Sequence, residues 1–237
     1  NVQGQYVLKG EGSASRILFK TVTGIPLYFQ NCGSVTIEDI TFVGDSSSGS
    51  STPVADGATA LIYFAYCWKA VIQRCFFLGI ASSTSTYGIV SGGESSILIR
   101  DSLFAGCTTP NSGVVTIANN RNFELDNVTF IDLYEKFNNV TYSKLAGVGS
   151  MKHWVRVHTP IANTGYVRPS VIIKNCEFDE NTTDVLLDIK GRVDMFYEME
   201  NCSLNSGISG STAGMRIETF ARASFRNIWA GYCPGAN

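Results

Sequence analysis

Charge is scarce in this chain, and so are histidine and proline. Only 16% of the 237 residues are Asp, Glu, Lys or Arg, and there are two histidines and six prolines. The 18 basic and 20 acidic side chains nearly cancel, leaving a formal charge of −2, and they are mixed along the chain. That balance argues against a nucleic-acid footprint and against a polybasic face for an anionic membrane. No uninterrupted apolar run reaches the ~18 residues of a membrane-spanning helix, so no membrane insertion is expected. No secretory leader or initiator Met opens the sequence. Neither end carries an amphipathic segment to cover unpaired strand edges, so a piece of a longer protein, or its ordered part, is expected. No Cys-x-x-Cys pattern supports zinc, and no grouping of His, Asp and Glu has convincing metal spacing. No metal and no cofactor are expected from the residues.

What the chain does have is a repeat. Seven times a stretch reads apolar, any, apolar, any, Asn or Asp (once Arg), apolar, any, apolar. The stretches are VTIEDITF from Val35, AVIQRCFF from Ala70, ILIRDSLF from Ile97, FELDNVTF from Phe123, VIIKNCEF from Val171, YEMENCSL from Tyr197 and ASFRNIWA from Ala223. Their fifth residues are Asp39, Arg74, Asp101, Asn127, Asn175, Asn201 and Asn227. Successive differences in residue number are 35, 27, 26, 48, 26 and 26. A period near 26 with loop-sized excesses is the mark of a solenoid.

Alternation with period two means strands. A further short stretch precedes most units: PLYF from Pro26, LIYF from Leu61, GIVS from Gly88, VVTI from Val114 and GMRI from Gly214. Three strands per turn of about 26 residues fit one coil of a parallel β-helix. Coils about 4.8 Å apart would stack equal positions into columns. Ile37, Ile72, Ile99, Leu125, Ile173, Met199 and Phe225 are expected to form one interior column. Phe42, Phe77, Phe104, Phe130, Phe178, Leu204 and Ala230 are expected to form another. The Asn/Asp column is expected to face the interior turn and make a side-chain ladder, which Arg74 would break. A β-sandwich does not repeat one aligned pattern seven times, and a propeller blade needs about 40 residues or more.

The seven cysteines are an odd number. Cys75, Cys176 and Cys202 share a column with Ile40, Ser102, Val128 and Ile228 and read as small buried hydrophobes. Cys32 and Cys67 fall at one position of adjacent coils, as stacked thiols or as a disulfide. The usage fits assembly in a reducing cytoplasm.

The opening YVLKGEGSASRILF, Tyr6 to Phe19, and the following NCGSVTIEDITFVG, Asn31 to Gly44, resemble the first two coils of the pectin-lyase-like right-handed β-helices. Within that group the chain resembles bacteriophage tailspikes and tail appendages most. The resemblance spans nearly the whole chain, 1–237. It implies an all-β, single-stranded, right-handed parallel β-helix whose coils match the repeat period. It further implies a homotrimer in the virion tail, assembled in the host cytoplasm, that contacts other tail proteins and a host-surface polysaccharide. A lyase of this fold would be a calcium candidate. Three function classes stay open: an adhesin that binds glycan, a depolymerase (hydrolase or lyase) that cleaves it, and a cellular pectate-lyase-like enzyme or epimerase.

Loops on a rigid scaffold carry function. The Ser/Gly-rich stretch 45–59 has no aromatics and reads as a surface loop. The longer departure, about 131–170, holds both histidines, His153 and His158, with Tyr134, Trp154 and Arg156, in which MKHWVRVH alternates as an extra strand or edge hairpin. Aromatics and cations together suit sugar stacking or a subunit contact, so these five are candidate substrate-binding residues. Asp132 stands two residues past Phe130 and Glu180 two past Phe178, with Asp179 and Glu135 nearby. Paired carboxylates one rung apart would suit glycoside chemistry, so these four are candidate acid/base residues. Glu38, Glu124 and Glu198 occupy outward strand positions and read as a solvated face.

Overall fold

The computed structural model describes residues 4–19, 24–44, 60–80, 88–107, 109, 112–119, 121–131, 133–137, 140–143, 153–159, 169–179, 185–191, 194–205, 213–218 and 220–231. Over these the protein is all-β, with a single short 3-10 turn at Gly12–Ala14 and no α-helix. Alternating Ile, Val, Phe and Tyr favour a pleated surface over a helix face.

Apart from one antiparallel pair, the strands pair in parallel and fall into three stacks. The first stack holds Gln5–Lys9, Ser34–Glu38, Ala70–Gln73, Ser170–Lys174 and the first halves of the long strands Ser96–Ala105, Asn122–Ile131 and Phe196–Asn205. The second stack holds Arg16–Phe19, Thr41–Gly44, Phe76–Leu78, Glu177–Asp179 and the second halves of the same long strands. Arg222–Ala230 pairs along nearly the whole of the last long strand. The long strands run through both stacks, so these make one twelve-stranded sheet. A separate seven-stranded sheet orders Leu27–Gln30, Ile62–Ala65, Val90–Gly93, Gly113–Ala118, His153–His158, Val185–Lys190 and Ala213–Glu218.

The expected interior columns are register columns. Ile37, Ile72, Ile99, Leu125, Ile173, Met199 and Phe225 pair in that sequence, and Leu8 extends the file, but Phe225 on the last rung is 46% exposed and not interior. Phe42, Phe77, Phe104, Phe130, Phe178, Leu204 and Ala230 also pair in sequence. Consecutive rings in this second file stack with centroids 4.9, 4.4, 4.9 and 5.0 Å apart. Each fully buried side chain of this size contributes about 1.5–3 kcal/mol. The parallel stack adds aromatic contact on top of area.

The Asn/Asp column is a ladder, but it lies on the outside. Asp101, Asn127, Asn175, Asn201 and Asn227 are solvent-exposed, which corrects the interior placement. The seven positions share a left-handed backbone, with φ between 49° and 59°. Asn and Asp tolerate that region better than other side chains, and this selects them at the corner between the first two stacks. Asn127 donates to Asp101 at 2.8 Å, Asn201 to Asn175 at 3.2 Å and Asn227 to Asn201 at 3.0 Å. Asn175 turns instead to Asp126, at 2.8 Å. Arg74 does not break the file: its guanidinium donates twice to Asp39, at 2.7 and 2.9 Å, and also to Glu38 at 2.9 Å. Of the outward acids on the first stack, Glu38 pairs across rungs with Lys9 and Glu198 with Lys174 and Arg226.

The six described cysteines are free and buried, Cys32 and Cys67 among them. Burial pushes the Cys67 and Cys75 thiols up to about 11, so they pack as small apolar groups.

The 131–170 region divides in two. Leu133–Phe137 and Val140–Ser143 form an antiparallel hairpin of their own. His153–His158 is no edge hairpin; it is a regular parallel member of the seven-stranded sheet, between Gly113–Ala118 and Val185–Lys190. Val155 and Val157 decide this, because they match Val115 and Ile117 on one side and Leu187 and Ile189 on the other.

Candidate functional site

The strand assignment changes what the predicted binding residues can do. Trp154 is 0% exposed and packs on Phe130, centroids 5.6 Å apart. It takes the interior position that Leu61, Ile89, Val114 and Leu186 take in neighbouring strands of the sheet, all buried. Its indole N–H donates to the Asp179 carbonyl at 3.2 Å, so its one polar atom is satisfied indoors. Trp154 therefore offers no ring to a sugar. His153 is buried too, 3% exposed. Its Nδ1 lies 2.8 Å from the Val185 carbonyl, which only accepts, so Nδ1 carries the proton.

Arg156 and His158 stay on the outer face and converge on a residue absent from the predicted set, Asp188. Asp188 is 4% exposed. His158 Nε2 is 3.0 Å and Arg216 Nε 2.8 Å from its carboxylate, with Arg156 at 3.8 Å and His153 at 3.7 Å. Burial alone would raise the Asp188 pKa. Hydrogen bonds from His158 and Arg216, with the charges of His153 and Arg216, outweigh it and hold the carboxyl well below the usual range. Both carboxylate oxygens are thus occupied, and the cluster is a brace across three rungs rather than an open acid/base pair. VLLDIK carries the same apolar pair as the other stretches, Leu186 and Leu187, and precedes Tyr197 much as they precede their own units, but nothing local in it shows that Asp188 meets His158 and Arg216, 30 and 28 residues away.

Of the predicted carboxylates, Asp132 and Glu180 lie outside the described residues. Phe130 and Phe178, which precede them, are register partners. Tyr134 and Glu135 lie on the hairpin strand Leu133–Phe137, and their side chains are outside the described residues. Asp179 is half-buried, and its Oδ1 is buried without a hydrogen-bond partner. Among the described residues no three His, Cys, Asp or Glu side chains converge as a metal site.

A groove on the same outer face brings together residues that sequence reasoning left as plain strand. Its floor is a register file of small residues, Ala65, Gly93 and Ala118. The file continues as His158 and Lys190, where the floor fills with larger side chains. One wall is Tyr63, whose ring stacks on Tyr28 at 5.7 Å. The opposite wall is Tyr66, Glu94 and Asn119, and the open space between the walls is about 160 Å³. A Cβ at Gly93 would lie 3.0 Å from the Tyr63 hydroxyl, a tight contact from which the ring would have to shift. Tyr66 is 48% exposed, and Trp68 beside it is 62% exposed with Arg121 5.1 Å over its ring. The wall residues Tyr66, Glu94 and Asn119 share a left-handed backbone, φ 56°, 52° and 50°. The signal in the sequence is IYFAYCW, Ile62 to Trp68, the most aromatic stretch of the chain. Aromatic faces, an acid and an amide around a shallow floor suit a sugar ring, which offers C–H faces to π-systems and hydroxyls to polar groups.

No protein-family model, no curated protein and no solved structure matches the chain.

Proposed function

We propose that this chain is a right-handed parallel β-helix of the phage tailspike or tail-appendage kind that recognises a host-surface polysaccharide. Cyclic passage through the three strand stacks supports the helix, because register partners such as Phe104 and Phe130, or Ile173 and Met199, stand one repeat period apart in the chain. The groove lined by Tyr63, Tyr66, Glu94 and Asn119 is the single observation that carries the recognition. At about 160 Å³ it is smaller than the roughly 300–1,000 Å³ of drug-sized sites and suits one sugar unit of a longer chain. A rigid sheet presents it, so little ordering is needed on binding. In this reading the protein works as a side-by-side homotrimer in the virion tail, bound to other tail proteins.

The test is retention of surface polysaccharides from a panel of bacterial capsules and O-chains. Wild-type protein is expected to retain at least one, and Tyr66→Ala to weaken that binding about tenfold or more through lost stacking area. Retention of none, or undiminished binding by Tyr66→Ala, sinks the reading. Depolymerisation is a second reading, favoured by the unpartnered Asp179 Oδ1 at the strand end that precedes Glu180. It predicts new chain ends from the bound polysaccharide, and loss of them in Glu180→Gln with binding retained.

A further inference from the structure

The groove is acidic, and among the described residues it has no cation of its own. Glu94 is half-buried and has no ion-pair or side-chain hydrogen-bond partner among the described residues. Asn119 Oδ1, on the next rung of the same wall, is buried and accepts no hydrogen bond there. Both are acceptors. Tyr63 and Tyr66 line the same cavity. The nearby cations are committed elsewhere: Arg121 lies over Trp68, and Arg156 and Arg216 turn to Asp188. An unpaired carboxylate costs free energy in a partly desolvated site, and ring faces beside it add negative potential. The site also holds Tyr66 and Glu94 in a left-handed backbone that neither residue favours. A ligand that answers all of this brings a positive charge and N–H donors.

Resting on the polysaccharide reading, we infer that the groove selects a sugar carrying a protonated amine, a free amino sugar. The ammonium donates to Glu94, and the ring of the sugar lies between the tyrosines. An N-acetylated or acidic sugar at the same position lacks the charge or carries the wrong one.

The experiment is calorimetric titration of the chain with two chemically defined probes, a glucosamine hexamer and an N-acetylglucosamine hexamer, at pH 6. The free-amine oligomer is expected to bind about tenfold or more tightly than the acetylated one. Glu94→Gln is expected to abolish that ratio while keeping the fold, since it is isosteric and its backbone is unchanged. Tyr66→Ala is expected to weaken both probes. Equal affinity for the two oligomers, or a ratio that survives Glu94→Gln, overturns the inference but leaves the polysaccharide reading intact. Binding of a bacterial polysaccharide with no binding of either hexamer also overturns the inference. Failure to retain any polysaccharide is the separate outcome that removes the reading beneath it.

Discussion

Two corners of this protein hold their residues in the same left-handed backbone and fill it differently. At the corner between the first two stacks the residues are Asp39, Arg74, Asp101, Asn127, Asn175, Asn201 and Asn227. At the corner that ends the seven-stranded sheet they are Asn31, Tyr66, Glu94 and Asn119. The first set is short and polar but for Arg74, and its members bond to one another or to a neighbour's carboxylate. There the backbone chooses the side chain. At the second corner a tyrosine and a glutamate accept a conformation that costs about 1–2 kcal/mol outside Gly, Asn and Asp. No side-chain ladder joins them among the described residues. Backbone need does not explain their identity; on the reading proposed above, the groove they line does.

Substitutions can break or sharpen that contrast, and the interior sets the scale. Phe104→Ala removes the middle of the ring stack and is expected to cost about 3–5 kcal/mol, read as a drop in urea midpoint. Neither corner should approach that value. Next comes the brace on the rungs beside the groove. Asp188→Asn leaves two arginines facing each other across a rung and is expected to cost about 2–3 kcal/mol near pH 7. The pH dependence follows from the depressed carboxyl: its folded pKa lies below its unfolded value near 4, so its stabilisation is present above about pH 4 and fades as pH falls further. Urea midpoints at pH 7 and pH 3 should therefore differ less in Asp188→Asn than in the wild type. An equal pH response in both would show that the brace is not electrostatic.

The corners themselves give smaller, opposite effects. Asn201→Leu loses two ladder bonds and puts a branched apolar residue in the left-handed region, an expected cost of about 1–2 kcal/mol. Asn201→Gly should recover most of it, because glycine meets no such penalty. Tyr66→Asn reverses the sign: relief of backbone strain is expected to raise stability by about 0.5–1 kcal/mol, while glycan binding falls. A Tyr66→Asn protein that is less stable, or that binds as well as the wild type, would erase the distinction between the two corners.

Read as a string, the chain already determines its period, its interior files and the corner where Asn and Asp recur. Those are local or strictly periodic properties: alternation sorts inward from outward along a regular strand, and a left-handed residue prefers a short polar side chain whatever surrounds it. Even so, the string could not say that the ladder faces water, nor that Arg74 would serve it by gripping Asp39. The misplacement of Trp154 and His153 has a definite cause. Trp154 and Val155 are both buried, as Leu61 and Ile62, Val114 and Val115, and Leu186 and Leu187 are, so alternation fails at the head of each of these strands, while His153 is buried against the Val185 carbonyl. Asp188 meets Arg156, His158 and Arg216 only because strands far apart in the chain are stacked in register. The groove is of the same kind. Tyr63, Gly93 and Asn119 are unremarkable in their own strands, and only stacking three rungs at rung spacing makes them a wall, a floor and a wall.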